Sequence, residues 1–380
     1  MIRGLLALAA AASVVAVKPG ADLPKVDVDM AEISVSGISS GAFMAVQMHI
    51  SYSQMINGAG ILAGGPYWCA QDTVALALTA CMTDPELISP FYLEGIVRAT
   101  ALSGFADDTR HLANSRVWVM SARNDTVVDT GVVKAAADLY SAFLTDPSSQ
   151  IEADYTHDGE HSQITVGYGN PCTTLGLPYI NACGFDAAGA ALKHLIRREL
   201  VPAVPGAAPQ GTMTKFSQAA FVGALFTDAF GLQDSGYVYV PPQCEGQKNI
   251  CALHVAFHGC EMTLDDIGQQ FVYHSGHIPW ADANGIIILF PQAKSNLLNP
   301  KGCWDWWAYT GTAYASNVGA QTLTVKRIMD SLSGQPLTPN TTLSDEDLSA
   351  RLEATYRRAP GAAEAAAALL SKRPNVTAQA

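Results

Sequence analysis

The pentapeptide Gly37-Ile38-Ser39-Ser40-Gly41 constrains this chain more than any other feature. It follows residues 31–36, where apolar and polar side chains alternate as in a strand, and it precedes the apolar, helix-favouring residues 42–50. In a strand–turn–helix of this kind the central serine occupies a strained turn, so its neighbours must be small. The turn exposes the serine Oγ and directs the next backbone N–H toward a developing oxyanion. This context favours Ser39 as a nucleophile over the alternative of an ordinary Gly/Ser turn.

A serine nucleophile needs a histidine base, and the base needs an orienting carboxylate. Asp125 lies just past a strand predicted at residues 116–120, which is where such an acid is usually carried. The competing aspartates, which lack that position, are Asp107, Asp108 and Asp129.

Two histidines are candidates for the base. His161 lies in a polar loop after a short strand predicted at residues 151–155, and His157 lies four residues earlier. The pattern of residues leaves the choice between them open.

Apolar stretches of strand length alternate with helical stretches along the chain. This alternation predicts an α/β fold with a mostly parallel sheet flanked by helices. The predicted strands are residues 31–36, 116–120, 151–155, 236–240, 252–257 and 285–290. The predicted helices are residues 42–50, 131–143, 187–200 and 264–273.

The sequence His258-Gly259-Cys260, at the end of an apolar strand, departs from the usual order of an α/β hydrolase. Such a strand ending in His-Gly resembles the oxyanion loop of esterases, which normally precedes the nucleophile. Here it follows all three triad candidates by about a hundred residues. We interpret this order as a circular permutation, in which a Pro/Ala/Gly linker within residues 201–214 joins the former chain ends.

Composition excludes some classes of function. With 22 Lys and Arg against 34 Asp and Glu, the formal net charge of −12 disfavours nucleic acid and anionic membrane surfaces as partners. Eight cysteines, an even number, are typical of a secreted protein with disulfide bonds. No Cys-x-x-Cys zinc pattern, no metal spacing of histidines and no phosphate-binding glycine loop occurs, so we expect no metal and no cofactor.

The ends of the chain differ from its middle. A basic first few residues followed by an apolar run predict a signal peptide at residues 1–16 and therefore a secreted, extracellular or periplasmic protein. We expect one catalytic domain at residues 25–333. Residues 334–380 are Pro-rich and then Ala-rich, and they predict a helical or partly disordered tail.

Six motifs in one order resemble the secreted, single-domain, circularly permuted poly(3-hydroxybutyrate) depolymerases, an esterase family with the α/β-hydrolase fold. The resemblance covers roughly residues 30–330. The motifs are SVSGISSG (34–41), AGGPY (63–67), DAAGAALK (186–193), HVAFHGC (254–260), LFPQA (289–293) and NPKGCWDW (299–306).

The resemblance implies a role for individual residues. It implies Ser39 as the nucleophile, Asp125 as the acid and His161, rather than His157, as the base. It implies the backbone N–H groups of Ser40 and Cys260 as the oxyanion hole.

The resemblance also implies Trp306 as a wall of the substrate crevice. Against this, clustered aromatic side chains are more often core than ligand surface. The aromatic cluster in question is Trp304, Trp306, Trp307 and Tyr309.

Proximity in the sequence suggests how the cysteines pair, although eight cysteines allow 105 connectivities. The last pair would tether the oxyanion loop to the tryptophan loop. The pairs are Cys69 with Cys81, Cys172 with Cys183, Cys244 with Cys251, and Cys260 with Cys303.

The sequence thus predicts a secreted, monomeric serine esterase that hydrolyses poly- or oligo(3-hydroxybutyrate) through an acyl-enzyme, without a cofactor. A carbohydrate esterase of the feruloyl or acetyl-xylan type is the alternative, since it uses the same triad. A catalytically dead secreted binding protein is a third hypothesis, which turnover of a soluble ester would exclude.

Overall fold

The central β-sheet is built from apolar runs that helices cover on both faces. The computed structural model of the protein describes residues 23–222 and 227–339. Ile286–Phe290 is apolar and buried throughout, as expected for a parallel strand inside an α/β fold. The strands are β1 (Asp27–Ile38), β2 (Gly58–Leu62), β3 (Arg116–Met120), β4 (Ile151–Asp154), β5 (Gln163–Thr165), β6 (Asn170–Pro171), β7 (Ile180–Ala182), β8 (Thr212–Ser217), β9 (Ser235–Val240), β10 (Ile250–Phe257) and β11 (Ile286–Phe290).

Eight strands form one sheet in the order β4-β3-β2-β1-β10-β11-β9-β8. The strands from β4 to β11 in this order pair in parallel, whereas β9 and β8 add two antiparallel strands at one edge. Three short strands form a second, small sheet in the order β5-β7-β6. The predicted α/β fold with a mostly parallel sheet is confirmed.

Helices lie on both faces of the large sheet. One buried apolar cluster contains side chains of the helices at residues 40–51, 130–141 and 320–332. The other contains side chains of the helices at residues 187–195, 270–274 and 277–284. The helices are α1 (Ser40–Ser51), α2 (Val74–Leu78), α3 (Pro90–Leu102), α4 (Thr130–Ser141), α5 (Pro147–Gln150), α6 (Ala187–Leu195), α7 (Ala219–Val222), α8 (Leu264–Ile267), α9 (Gln270–His274), α10 (His277–Asn284) and α11 (Ala320–Leu332).

Two predicted helices differ from those observed. The helix predicted at residues 187–200 ends at Leu195, where the Arg116 guanidinium donates hydrogen bonds to the His194 and Ile196 carbonyls. The helix predicted at residues 264–273 is two short helices, because the first ends at Gly268 with a φ of 60°. The elements that were not predicted are strands β2, β5, β6, β7 and β8 and helices α2, α3, α5, α7, α10 and α11.

The polar residues Ser34 and Ser36 in the alternating part of strand β1 are buried and do not form a solvent-exposed face. Ser34 Oγ lies 2.8 Å from His254 Nδ1, and Ser36 Oγ lies 2.7 Å from His254 Nε2. Burial lowers the pKa of His254 well below its usual value, so the ring is neutral. These hydrogen bonds join β1 to β10 inside the sheet.

The pairing of β1 with β10 determines where the site forms. Gly37 lies opposite Phe257 in a parallel register, so the two strands end side by side. The carboxyl ends of parallel strands are where α/β folds build their sites. The circular permutation itself stays a prediction.

The structure agrees only in part with the predicted linker, and it describes little of the predicted chain ends. Residues 201–210 carry no strand or helix and are mostly exposed, and β8 begins at Thr212 inside the predicted linker. The predicted signal peptide, and the tail beyond residue 339, lie outside the described residues. Within the described ranges, no helix combines the length and the apolar character needed to span a bilayer.

Candidate active site

Ser39 lies in a sharp turn between β1 and α1. Its φ is 56° and its ψ is −125°, a conformation that a residue with a Cβ rarely adopts. Its backbone N–H donates to the Leu62 carbonyl at 2.9 Å, which fixes the turn to β2. A Cβ on Gly37 would lie 2.3 Å from the Gly41 carbonyl, so the chain can turn here only with glycine.

The end of β10 packs directly on this turn. A Cβ on Gly41 would lie 2.4 Å from the carbonyl oxygens of Phe257 and His258. A Cβ on Gly259 would lie 3.3 Å from Ser39 Cβ. The two predicted oxyanion donors therefore lie in adjacent segments, one at the start of α1 and one just after β10. In the part of the chain that the structure describes, the backbone N–H groups of Ser40 and Cys260 have no acceptor and are free for a ligand.

His258 holds the loop that carries Cys260. Its Nδ1 donates to the Gly259 carbonyl at 2.7 Å, and its Nε2 accepts from the Ala293 N–H at 3.1 Å. Both bonds need a neutral ring, and burial lowers the pKa of His258 to about 4. The ring is therefore structural and holds the oxyanion loop.

Asp125 and His161 form a buried pair. Asp125 Oδ2 accepts from His161 Nδ1 at 2.9 Å, and the two side chains are 2% and 8% exposed. Asp125 Oδ1 accepts from the N–H groups of Val127 and Val128 at 2.9 and 2.8 Å. These two amides hold the carboxylate so that its other oxygen faces the histidine, which leaves His161 Nε2 as the proton acceptor.

Ser39 and His161 line the same crevice. The structure records no hydrogen bond between these two described side chains. Such contacts are often loose without substrate and tighten only in the complex.

The alternative acid and base candidates have other partners. His157 lies 2.5 Å from Asp154 and stacks on Phe185, and its side chain is 38% exposed. Asp129 caps helix α4 by accepting from the Gly131 N–H at 2.7 Å. Asp107 accepts from the Gln54 N–H, and Asp108 pairs with Arg110 at the surface.

The crevice has a volume of about 510 Å³ and a mostly apolar lining. Trp306 is 6% exposed and stacks on Phe43 with ring centroids 4.4 Å apart, while Trp307 packs edge-on against it. The Trp306 indole N–H is buried with no hydrogen-bond partner among the described residues. Trp304, by contrast, is fully buried against Phe257 and belongs to the core. The aromatic cluster is thus partly core and partly crevice wall.

Asp305 anchors the tryptophan loop. Its Oδ1 accepts from the N–H groups of Trp307 and Tyr309, and its Oδ2 accepts from the N–H and hydroxyl of Thr310. Burial raises the pKa of Asp305 to about 6, although these hydrogen bonds oppose the rise. The bond between Cys260 and Cys303 ties the same loop to the oxyanion loop.

The other cysteines are bonded as their spacing predicted, so none of the eight is free. The remaining pairs are Cys69 with Cys81, Cys172 with Cys183, and Cys244 with Cys251. Among residues 23–222 and 227–339, no group of three or more His, Cys, Asp or Glu side chains could hold a metal ion.

Two buried carboxylates near the site, Asp305 and Glu160, were not predicted from the sequence. A signal existed for both, since a charged residue stands between tryptophans in one case and directly before the candidate base in the other. What each carboxylate binds depends on loop geometry that the sequence does not reveal.

Comparison with known proteins gives relatives of one kind. No family model matches the chain. The chain is 37% identical over 314 residues to a poly(3-hydroxybutyrate) depolymerase from Delftia acidovorans. The aligned region covers 82% of this chain but only 62% of the length of that protein. It is 33% identical over 307 residues to a polyhydroxybutyrate depolymerase from Talaromyces funiculosus, covering 76% of this chain and 86% of the relative.

Solved structures agree with these relatives. The crystal structure of PHB depolymerase from Penicillium funiculosum matches with a TM-score of 0.74 and 30% identity, over 83% of this chain and 100% of that one. A serine-to-alanine variant of PHB depolymerase, complexed with an R3HB trimer, matches over the same shares at 30% identity with a TM-score of 0.75. The chain belongs to the polyhydroxybutyrate depolymerase family and has its α/β-hydrolase fold.

Proposed function

We propose that this protein is a serine esterase that hydrolyses poly(3-hydroxybutyrate) and its oligomers, with Ser39, Asp125 and His161 as its triad. The observation that carries the proposal is the meeting of Ser39 and the Asp125-bound His161 at one apolar crevice. The kinship with depolymerases supports the choice of substrate.

Acylation uses the triad and the two oxyanion donors. His161 Nε2 removes the proton from Ser39 Oγ as this oxygen attacks the ester carbonyl carbon. The carbonyl oxygen becomes an oxyanion and accepts hydrogen bonds from the free N–H groups of Ser40 and Cys260. Asp125 stabilises the imidazolium through Nδ1. The imidazolium then protonates the departing alkoxide, and an acyl-Ser39 remains.

Deacylation repeats these steps with water. His161 removes a proton from a water molecule, the resulting hydroxide attacks the acyl carbon, and Ser39 Oγ leaves and recovers its proton. The product is a hydroxyacid or a shorter oligomer. No electron transfer occurs, and each proton passes through the same imidazole nitrogen.

The lining of the crevice supports a polyester rather than a sugar ester. Trp306 lines the crevice and offers an apolar face to a methyl-branched chain. A related structure holds an R3HB trimer, which is a chain of this chemistry. A sugar ring would leave its hydroxyl groups without partners on such a wall.

We propose that the protein works outside the cytoplasm, with residues 25–333 as its catalytic unit. Four disulfide bonds support this location, since such bonds persist mainly in oxidising compartments.

The decisive test is Ser39→Ala in the full chain. Loss of a triad nucleophile typically lowers kcat about 10⁶-fold, and we expect turnover of nitrophenyl butyrate to fall to background with an unchanged circular dichroism spectrum. A folded variant that kept a tenth of wild-type turnover would overturn the triad. Product analysis on polyhydroxybutyrate and on feruloylated xylan then separates the two esterase classes, because only hydroxybutyrate products fit the proposal.

A further inference from the structure

Glu160 links the two loops that carry the acid and the base. The acid loop is residues 121–129 and the base loop is residues 155–162. Glu160 Oε1 accepts from the backbone N–H of Thr126 and from that of His161, both at 2.7 Å. Its Oε2 accepts from the Thr126 hydroxyl at 2.9 Å. One carboxylate thus contacts the residue after Asp125 and the backbone of the base.

This carboxylate is buried without a cation. Glu160 is 7% exposed, and no ion pair of the described residues includes it. A buried charge is costly unless it is paired or fully hydrogen-bonded, and here three donors compensate it. Its own backbone N–H donates to the Cys172 carbonyl at 3.0 Å, so the base loop is held in turn by a disulfide-bonded residue.

Apart from the hydrogen bond between Asp125 and His161, the other hydrogen bonds recorded between these two described loops lie before Asp125. The N–H groups of Arg123 and Asn124 donate to the carbonyls of His157 and Gly159 at 2.9 and 3.2 Å. Arg123 also forms an exposed ion pair with Asp158. After Asp125, Thr126 connects the two loops through its hydrogen bonds to Glu160. The acid loop is therefore held to the base loop both before and after Asp125, and Glu160 makes the contacts after it.

We propose that Glu160 is a positioning residue, which sets the distance and angle between Asp125 and His161 by holding Thr126 and the His161 backbone on one carboxylate. The inference rests on the proposed triad. A misplacement of about 1 Å in a catalytic group can lower turnover by about 10²-fold. Glu160 does not itself line the crevice, so we expect its loss to leave substrate binding unchanged.

The test compares Glu160→Ala with Glu160→Gln in the full chain, using nitrophenyl butyrate. Both backbone donors meet the same oxygen, so glutamine keeps them through its amide oxygen, and the Thr126 hydroxyl can accept from the new amide. We expect Glu160→Ala to lower kcat 10- to 100-fold, as order-of-magnitude values, with KM within about twofold. We expect Glu160→Gln to stay within about fivefold of wild type in kcat.

Asp158→Ala is the matched control, because it removes an exposed bridge between the same two loops. Exposed ion pairs contribute little, so its kcat stays within about twofold. Thr126→Val removes one hydrogen bond to Glu160 and is the substitute test if Glu160→Ala does not fold. We expect it to lower kcat several-fold.

A Glu160→Ala variant with wild-type kcat would overturn the inference, as would equal losses in the Gln and Ala variants or a loss confined to KM. If Glu160→Ala does not fold, a Thr126→Val variant with wild-type kcat overturns it. The proposed function is tested separately by Ser39→Ala: if that variant is inactive while Glu160→Ala is fully active, only the positioning role fails.

Discussion

The two sides of the crevice are each held by one buried carboxylate, but they are held for different purposes. On the triad side, Glu160 joins the two loops that carry the acid and the base of the proposed triad. On the tryptophan side, Asp305 accepts four hydrogen bonds within one loop, whose side chains form a wall. A disulfide bond, Cys260 to Cys303, adds a covalent link to the second side.

This difference predicts different consequences when each side is disturbed. Chemistry requires reacting atoms within a fraction of an ångström, so changes on the triad side should appear in kcat. A wall contributes contact area, so changes on the tryptophan side should appear in stability and in the use of long substrates.

Asp125→Asn should lower kcat by about 10⁴-fold with little loss of stability. Asn can keep its amide oxygen on the Val127 and Val128 N–H groups, which leaves its NH₂ facing His161 Nδ1. The imidazole is then held in the wrong tautomer, with its proton on Nε2. Steady-state kinetics with nitrophenyl butyrate and a thermal melt measure both effects.

Asp129→Asn is the control for this prediction. Asp129 caps α4, and asparagine caps helices about as well, so kcat should stay within about twofold. An inactive Asp129→Asn beside an active Asp125→Asn would transfer the acid to Asp129.

Removing the Cys260–Cys303 bond with two alanines should cost about 4 kcal/mol in the free energy of unfolding, since the bond closes 43 residues. The Cys244–Cys251 bond closes only 7 residues, so its removal should cost about 2 kcal/mol. Urea denaturation measures both. Turnover should fall only for the first pair, because Cys260 carries a proposed oxyanion donor. Equal losses of turnover would contradict the tether.

Asp305→Asn should change how stability depends on pH. Burial raises the pKa of Asp305 to about 6, so the folded state binds this proton more tightly than the unfolded state does. The associated stability is present below about pH 4 and is lost as the pH rises through 6, by up to about 3 kcal/mol. Between about pH 4 and pH 6, the free energy of unfolding of the wild type should therefore fall by up to about 3 kcal/mol relative to that of Asp305→Asn. Parallel stability curves in urea for the two proteins would show that Asp305 does not titrate in this range.

Trp306→Ala should lower kcat/KM for a hydroxybutyrate trimer about thirtyfold, the cost of losing a well-packed aromatic contact of about 2 kcal/mol. Nitrophenyl butyrate barely extends past the oxyanion hole, so its hydrolysis should change little. Trp304→Ala is the control, because this fully buried side chain should affect both substrates alike through stability. Equal losses on both substrates for Trp306→Ala would assign Trp306 to the core.

Much of the fold could be predicted because its signals are local. The strands at residues 116–120 and 285–290 are apolar runs, and both are observed within one residue of their predicted ends. The prediction of one helix at residues 264–273 was wrong because the apolar periodicity continues across Gly268, where a positive φ ends the first helix. Strand β2 was missed because Gly58–Leu62 contains two glycines, which weaken any strand signal.

The sequence by itself determined the nucleophile turn and the pairing of near cysteines, because both depend on residues a few positions apart. Gly37 and Gly41 are required by clashes at 2.3 and 2.4 Å, and a turn this tight has few other solutions. Only the tertiary structure decided how Ser39 meets Cys260, His161 and Trp306. Those contacts arise from β10 pairing with β1 across more than 200 residues, and from Glu160 and Asp305 holding loops whose backbone donors no sequence pattern identifies.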